Sequence, residues 1–449
     1  MPIQYYLPVA EEGTHMLVTI ESLAYGGDGV AHLDDGRVVF VRGGCPGDQV
    51  EIEITAEHDR RADARIISVV CPSPDRTEAP CAYFGDCGGC QWQHVSAELQ
   101  LSAKARIVSD ALRHIAHAEV SVPATASAPD RYGYRNKVEF ECADIGGRVH
   151  LGYHALGSHE FIPVDRCLLL PSGFEDSPRA LTGALRYLSG RYGSLGVRRV
   201  GLRVSVRTGD VEVALWTDPT SFPRQMAAKT LSDAVGARGV VRLLVKGAQQ
   251  KRLVTGVEVL SGRGHWTEEL CGRRLTASGP SFFQLNTAAA EVLVTRALAQ
   301  ASPTAQDRIL DMYSGVGTFT LPLAATGAEV VAVENSRYAL ADLRRNLDQA
   351  RLEADVVGGD AVRELPSLGE FDVVFVDPPR SGLHHEAIAA LAAAGPRTII
   401  YVSCNPTTLA RDAQHLSREG YRLDQVEPHD LFPQTYHVEC VASFRRESD

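Results

Sequence analysis

Short runs in which apolar and polar positions alternate open the chain, at residues 16–20, 36–41, 48–54 and 65–69. A period of two puts one face of each run on a core, as in a half-buried strand. Glycine-rich turns, Tyr25-Gly26-Gly27-Asp28-Gly29 and Gly43-Gly44-Cys45-Pro46-Gly47-Asp48, separate the runs, so this part predicts a small β-barrel. A helical period spans residues 97–115 and ends in a Pro- and Ala-rich stretch at 122–129. Residues 132–276 mix strands (137–142, 200–206, 211–216) with a helix at 222–235, an α+β pattern. After residue 279 strand and helix alternate strictly, with strands at 308–311, 330–333, 373–376 and 398–403. That order predicts an open, mostly parallel sheet with helices on both faces. The whole reads as a multidomain α/β chain: a barrel at 13–71, a central α+β domain from 72–94 with 123–275, and a C-terminal domain from 95–122 with 276–449.

Length supports the division, because 449 residues exceed what one ordinary core organises. At 44% hydrophobic and 22% charged the composition is that of a globular protein. The first residues lack a basic stretch before an apolar core, and no later stretch holds 18 uncharged apolar residues, so a cytoplasmic protein without membrane spans is expected. The net charge of −11 opposes a nucleic-acid partner. Clusters of basic residues outside the C-terminal third offset it: Arg60, Arg61 and Arg65; Arg198, Arg199, Arg203 and Arg207; Lys246, Lys251 and Arg252. Taken singly, each cluster reads as a solvated face.

Chemistry concentrates where strands end. The apolar run 308–312 enters Tyr313-Ser314-Gly315-Val316-Gly317, a turn that lets a bulky ligand approach the backbone. The next strand ends at Glu334, an acid placed about 20 residues on to accept hydrogen bonds from a ribose. Thr320 stands where a dinucleotide fingerprint has its third glycine, which favours an adenosyl cofactor over NAD or FAD. Two more strands end in Asp377-Pro378-Pro379-Arg380 and Ser403-Cys404-Asn405-Pro406, on the same sheet edge. Proline after each strand holds Asp377 and Cys404 over the crevice.

Three of the ten cysteines, Cys81-x5-Cys87-x2-Cys90, place thiolates on one tight loop, and a fourth ligand must come from elsewhere. Their spacing leaves zinc and an iron–sulphur cluster equally open.

With these motifs the sequence resembles the RNA uracil-5-methyltransferases, and within them the iron–sulphur-containing 23S ribosomal RNA branch. Further landmarks are Phe282-Phe283-Gln284-Leu285-Asn286 and Phe432-Pro433-Gln434-Thr435-Tyr436-His437-Val438-Glu439, and the likeness spans nearly the whole chain. Family members commonly carry His where Gln434 stands. The resemblance implies a Rossmann-like class I methyltransferase domain that takes S-adenosylmethionine. Gln284, Tyr313, Gly315, Glu334 and Asp377 would line the methyl donor, Asp360 its adenine; Cys404 would be the nucleophile and Glu439 the base. It implies Cys167 as fourth ligand to a [4Fe–4S] cluster, a structural staple or RNA platform, since methyl transfer needs no electron. The barrel resembles the TRAM domain, an RNA-binding module of the oligonucleotide-binding type. Tyr25 and Phe40 are each read there as a stacking group or as barrel core, with core the favoured reading for Phe40.

The chemistry demands such residues. Carbon 5 of uracil is a weak nucleophile until a thiolate adds to carbon 6 and makes the ring an enolate. A carboxylate must then remove the carbon 5 proton. The expected partner is RNA, ribosomal before transfer RNA, met by a monomer. The alternatives are transfer RNA uracil or RNA cytosine methylation and, in other classes, an iron–sulphur electron-transfer protein or a non-catalytic RNA-binding protein.

Overall fold

The structure, a computed structural model, describes residues 15–247 and 253–447; Lys251 and Arg252 and the start of the barrel at 13–14 lie outside them. The described chain divides into two compact units.

The first unit holds residues up to Gly85, Cys90–Ala103 and Gln434–Tyr436. Its six-stranded sheet starts with Met16–Thr19 and finishes with Ser22–Leu23, which are neighbours in the chain, so the sheet must curl round upon itself. Val39, Val41, Val50, Ile52 and Ala62 fill the interior. Alternation along Val38–Arg42 buries Val39 and Val41 and turns Phe40 to the other face, where the Arg61 guanidinium lies 6.0 Å from its ring. Phe40 is therefore not barrel core: it holds the in-between position of a period-two strand. The turn expected at 25–29 runs directly into a strand at Gly29–His32.

Within this unit Trp92 is fully buried and donates its indole N–H to the Gly27 carbonyl at 2.9 Å. Gln434, also buried, has φ of 69° and exchanges bonds with Gln100, its N–H donating to Gln100 Oε1 at 2.9 Å and its Oε1 accepting from Gln100 Nε2 at 3.1 Å. Its place is thus a buried, left-handed turn.

The second unit carries two seven-stranded sheets. The first runs from Leu253–Ser261 through Gly239–Lys246, Val211–Thr217, Val197–Val204 and Lys137–Ile145 to Arg148–His154 and Phe161–Pro163. Its basic cluster is absorbed internally: Arg198 pairs with Asp218, Arg199 with Glu139 and Glu141, and Arg207 with Glu291. Buried Arg203 donates instead to the carbonyls of Ala277, Ser278 and Ser281 at 2.6–2.9 Å.

The second sheet orders its strands Asp355–Gly358, Glu329–Glu334, Arg308–Met312, Val373–Val376, Thr398–Ser403, Glu439–Arg446, Tyr421–His429. The first five are parallel, as the alternating pattern requires, and Glu439–Arg446 runs antiparallel to both of its neighbours, Thr398–Ser403 and Tyr421–His429. Val373–Val376 and Thr398–Ser403 are buried at every position, because helices cover both faces. Among the described residues no helix is long and apolar enough to cross a membrane.

Candidate active site

Parallel pairing fixes which residues share an edge. Met312 pairs with Val333 and Val376, Glu334 with Gly358, and Val376 with Tyr401. Tyr313, Glu334, Asp360, Asp377 and Cys404 therefore all leave the sheet at its carboxyl edge, the crevice where open α/β sheets bind ligands.

The turn after Met312 is shaped for close approach. Tyr313, Gly315 and Gly317 all have positive φ, of 63°, 57° and 98°. A Cβ on Gly317 would come within 2.5 Å of Leu321, so only glycine fits there. The Glu334 carboxylate closes the turn, accepting the Gly315 N–H at 2.9 Å and the Ser336 N–H at 2.6 Å. Thr320 explains the missing third glycine: its hydroxyl donates at 2.5 Å to Asp311, which is wholly buried. Burial, then the nearby Asp377 and Glu334, push the Asp311 carboxyl up to about 7, against the Thr320 bond. Asp360 caps the helix Ala361–Leu368 through the N–H groups of Val362 and Arg363. It also helps raise the Tyr313 phenol above its ordinary value, after burial. Gln284 is buried, and its carbonyl accepts from Asn136 Nδ2 at 2.7 Å. Ser278 and Ser281 on the preceding segment donate to Asp342, so that Arg203, Asp342 and Asn136 together set the path of residues 278–286.

Antiparallel pairing builds the other half. Ser403 stands opposite Cys440; Cys404 follows the one and Glu439 precedes the other, close enough for the carboxylate to act on the thiol. Asn405 caps the helix Pro406–Arg418, accepting the Thr407 N–H at 3.0 Å, with Pro406 at its first turn. Cys404 is thus fixed between a strand end and a helix N-terminus, where unpaired N–H groups favour a thiolate. Burial, then the Glu439 carboxylate, push the thiol up to about 11, while Arg380 draws it down. Burial and Asp377 hold Glu439 well above the usual carboxylate range, again opposed by Arg380, and burial pushes Asp377 up to about 7. Arg380, Arg135 and Lys104 add to burial in pushing His437 down to about 4, so it stands there as a neutral imidazole. Arg380, quoted in the sequence motif without a role, is the cation common to all these groups except Asp377.

Among the described residues no group of three or more His, Cys, Asp or Glu side chains is arranged to hold a metal ion. Cys81, Cys87, Cys90 and Cys167 are all half-buried; the first and third belong to the first unit, the other two to the second. The loop at Cys87 is pressed on the strand end at His154, where the Gly88 N–H donates to the His154 carbonyl at 3.0 Å and a Cβ on Gly88 would meet that oxygen at 2.8 Å. A cavity of about 580 Å³ lined by Cys142, Arg148, Arg186 and Val197 shares no residue with the crevice.

A glycine turn closed by an acid, on the same sheet edge as a half-buried thiol with carboxyl groups near it, is the arrangement of a Rossmann-like transferase crevice. The chain matches the model described as tRNA (Uracil-5-)-methyltransferase over residues 364–447, the TRAM domain over 9–67 and a methyltransferase domain over 309–395. It is 36% identical to a protein named an uncharacterized RNA methyltransferase of Thermosynechococcus vestitus, over 97% of this chain and 99% of that one. A counterpart of the same description from Gloeobacter violaceus is 36% identical, over 97% of each. Among solved structures it superposes on the Pyrococcus abyssi tRNA (uracil-54, C5)-methyltransferase in complex with S-adenosyl-L-homocysteine, with a TM-score of 0.74 and 26% identity, covering 96% of this chain and 100% of that one. The chain belongs to the RNA (uracil-5-)-methyltransferase family.

Proposed function

We propose that the protein methylates carbon 5 of a uridine in RNA, with S-adenosylmethionine as donor, Cys404 as nucleophile and Glu439 as base. The observation that carries this reading is the pairing of Ser403 with Cys440, which brings their chain neighbours Cys404 and Glu439 together at the crevice edge, where the carboxylate acts on the thiol. Gln284, Tyr313, Gly315, Glu334 and Asp360 would hold the donor, and Asp377 borders both it and the uracil. When bound, the donor supplies an electrophilic methyl and a positive charge that favours ionised Asp377 and Glu439. The Cys404 thiolate adds to carbon 6, and the ring's electron pair moves onto carbon 5 and the carbonyl oxygen. Carbon 5 takes the methyl with that pair as the methyl–sulfur bond breaks and the neutral thioether departs; Glu439 then takes the carbon 5 proton, the 5,6 double bond re-forms and the thiolate leaves. Arg380 favours the thiolate at the start and the enolate after addition.

The favoured RNA is 23S ribosomal RNA, on the sequence likeness to that branch; the P. abyssi relative points to transfer RNA as the alternative. Residues 13–71 would grip the RNA, 72–94 with 123–275 form the central domain, and 95–122 with 276–449 the transferase domain of a cytoplasmic monomer. Cys81, Cys87, Cys90 and Cys167 are proposed as [4Fe–4S] ligands on the sequence likeness to the cluster-carrying branch, four thiolates being a donor set that fits the group. No chemical step passes through such a cluster, and iron with acid-labile sulphide in anaerobically purified protein tests it.

The experiment is incubation of the protein or its Cys404→Ala variant with methyl-labelled donor and unmodified total RNA, followed by digestion to nucleosides. Label in 5-methyluridine of large ribosomal RNA, with the wild type alone, is expected. Label in transfer RNA moves the substrate; 5-methylcytidine, or no label, overturns the uracil reading.

A further inference from the structure

The loop that follows Asp377-Pro378-Pro379 carries Arg380, and a set of groups outside the crevice holds it. Asp412, on the helix Pro406–Arg418, is buried. Its Oδ2 accepts the Leu383 N–H at 2.7 Å and the Tyr401 hydroxyl at 2.7 Å. Its Oδ1 accepts from Arg411 Nε at 2.8 Å and Nη2 at 2.6 Å. The same Arg411 Nη2 donates to the Ser381 carbonyl at 2.9 Å and the Leu383 carbonyl at 3.0 Å. One helical turn earlier, Asn405 Nδ2 and the Thr408 hydroxyl donate to the Arg380 carbonyl, at 3.2 and 3.4 Å. Between them Gly382 has φ of 73°, and a Cβ there would come within 2.5 Å of Asp412 Oδ2 and 2.6 Å of Arg411 Nη2. Tyr401 lies on the strand Thr398–Ser403, which ends immediately before Cys404. Residues 380–383 are therefore bonded to the strand and the helix on either side of the nucleophile.

We infer that Asp412 is a positioning residue that, through Arg411, Tyr401 and the Leu383 amide, pins the Arg380 loop to the segments flanking Cys404. Purely structural burial of this acid would be an expensive choice, since a buried carboxylate needs its partners to offset desolvation. Its four hydrogen bonds supply that offset, and their geometry dictates one loop path. Around Cys404 the charged groups are Glu439, Arg380 and Asp377, from the antiparallel strand, the loop and the neighbouring parallel strand. Moving the loop changes the one positive charge among them.

The inference rests on Cys404 being the reactive thiol, but its test needs neither RNA nor methyl donor. Iodoacetamide labelling of Cys404 in the intact protein, read by peptide mass spectrometry across pH, reports the thiolate. In Asp412→Asn the amide cannot serve Arg411 and the Leu383 and Tyr401 donors together, so the labelling midpoint is expected to rise and the rate at fixed pH to fall several-fold. In an Arg380→Ala background the same substitution should add nothing further. Arg411→Lys, which keeps the charge and loses the planar fork, is expected to do likewise and serves if Asp412→Asn does not fold. An unmoved midpoint in a folded variant, or an equal shift with and without Arg380, overturns the inference. If the midpoint moves as expected while wild-type protein forms no 5-methyluridine, the positioning role stands and the uracil reading fails.

Discussion

The two halves of the crevice solve opposite problems. On the donor half, Glu334 spends its carboxylate on the Gly315 and Ser336 amides, so the turn is bonded into shape by the chain itself. On the half around Cys404, burial raises Cys404, Asp377 and Glu439, like charge adds to it at Cys404 and Glu439, and among the described residues no hydrogen bond from another residue lowers either acid. A binding surface gains from being satisfied before its ligand arrives. Groups that must exchange protons gain from being held near the balance between their two forms. That contrast is what the proposed division of labour requires, donor binding on one half and reaction on the other.

Glu439→Gln should break this contrast most severely. Turnover is expected to fall by about 10²–10⁴-fold, the range for loss of a general base. The methylated Cys404–RNA adduct should accumulate as a denaturation-resistant species, and an unimpaired variant would assign the proton transfer elsewhere. Arg380→Ala removes the cation that draws Cys404 and Glu439 down. Methyl transfer should drop by about 10–100-fold, as for loss of a ~1.5–3 kcal/mol charged interaction. The midpoint for thiol alkylation should climb, since burial and Glu439 then act on Cys404 without that cation. Glu334→Ala tests the satisfied half: KM for the donor should rise about tenfold, equivalent to ~1.4 kcal/mol, with kcat changed far less. A kcat loss without a KM change would remove Glu334 from the binding surface.

The smallest effect concerns stability. Asp311 is raised from 3.8 to about 7 on folding, so the stability tied to its neutral form is complete below about 4 and lost as pH rises through about 7. Asp311→Asn keeps an uncharged group there. Thermal unfolding should therefore show the variant gaining on the wild type as pH rises from 4 to 8, and curves that stay parallel would contradict the buried-acid account.

Much of this was legible in order and spacing. The parallel strands, the glycine turn and the strand-end positions of Glu334, Asp377 and Cys404 follow from period, chain breakers and proline. Phe40 was misassigned because an aromatic in a short strand fits either face, and only its register with buried Val39 and Val41 decides. The Arg198–Arg207 cluster carried no sign that its members pair with acids as distant as Glu291, or that Arg203 holds three carbonyls. Asp412 carried no signal at all, since an acid on an amphipathic helix normally faces solvent.

By itself the sequence determined the elements, their alternation and the residue types at the strand ends, because these depend on local period and on neighbours in the chain. Tertiary structure decided which chemistry meets which. Cys404 and Glu439 are brought together by the antiparallel pairing of their neighbours Ser403 and Cys440, and Arg380 acts on both from a loop that Asp412 and Arg411 pin down. Those relations depend on hydrogen bonds between segments far apart in the chain, and no local pattern encodes a partner at that distance.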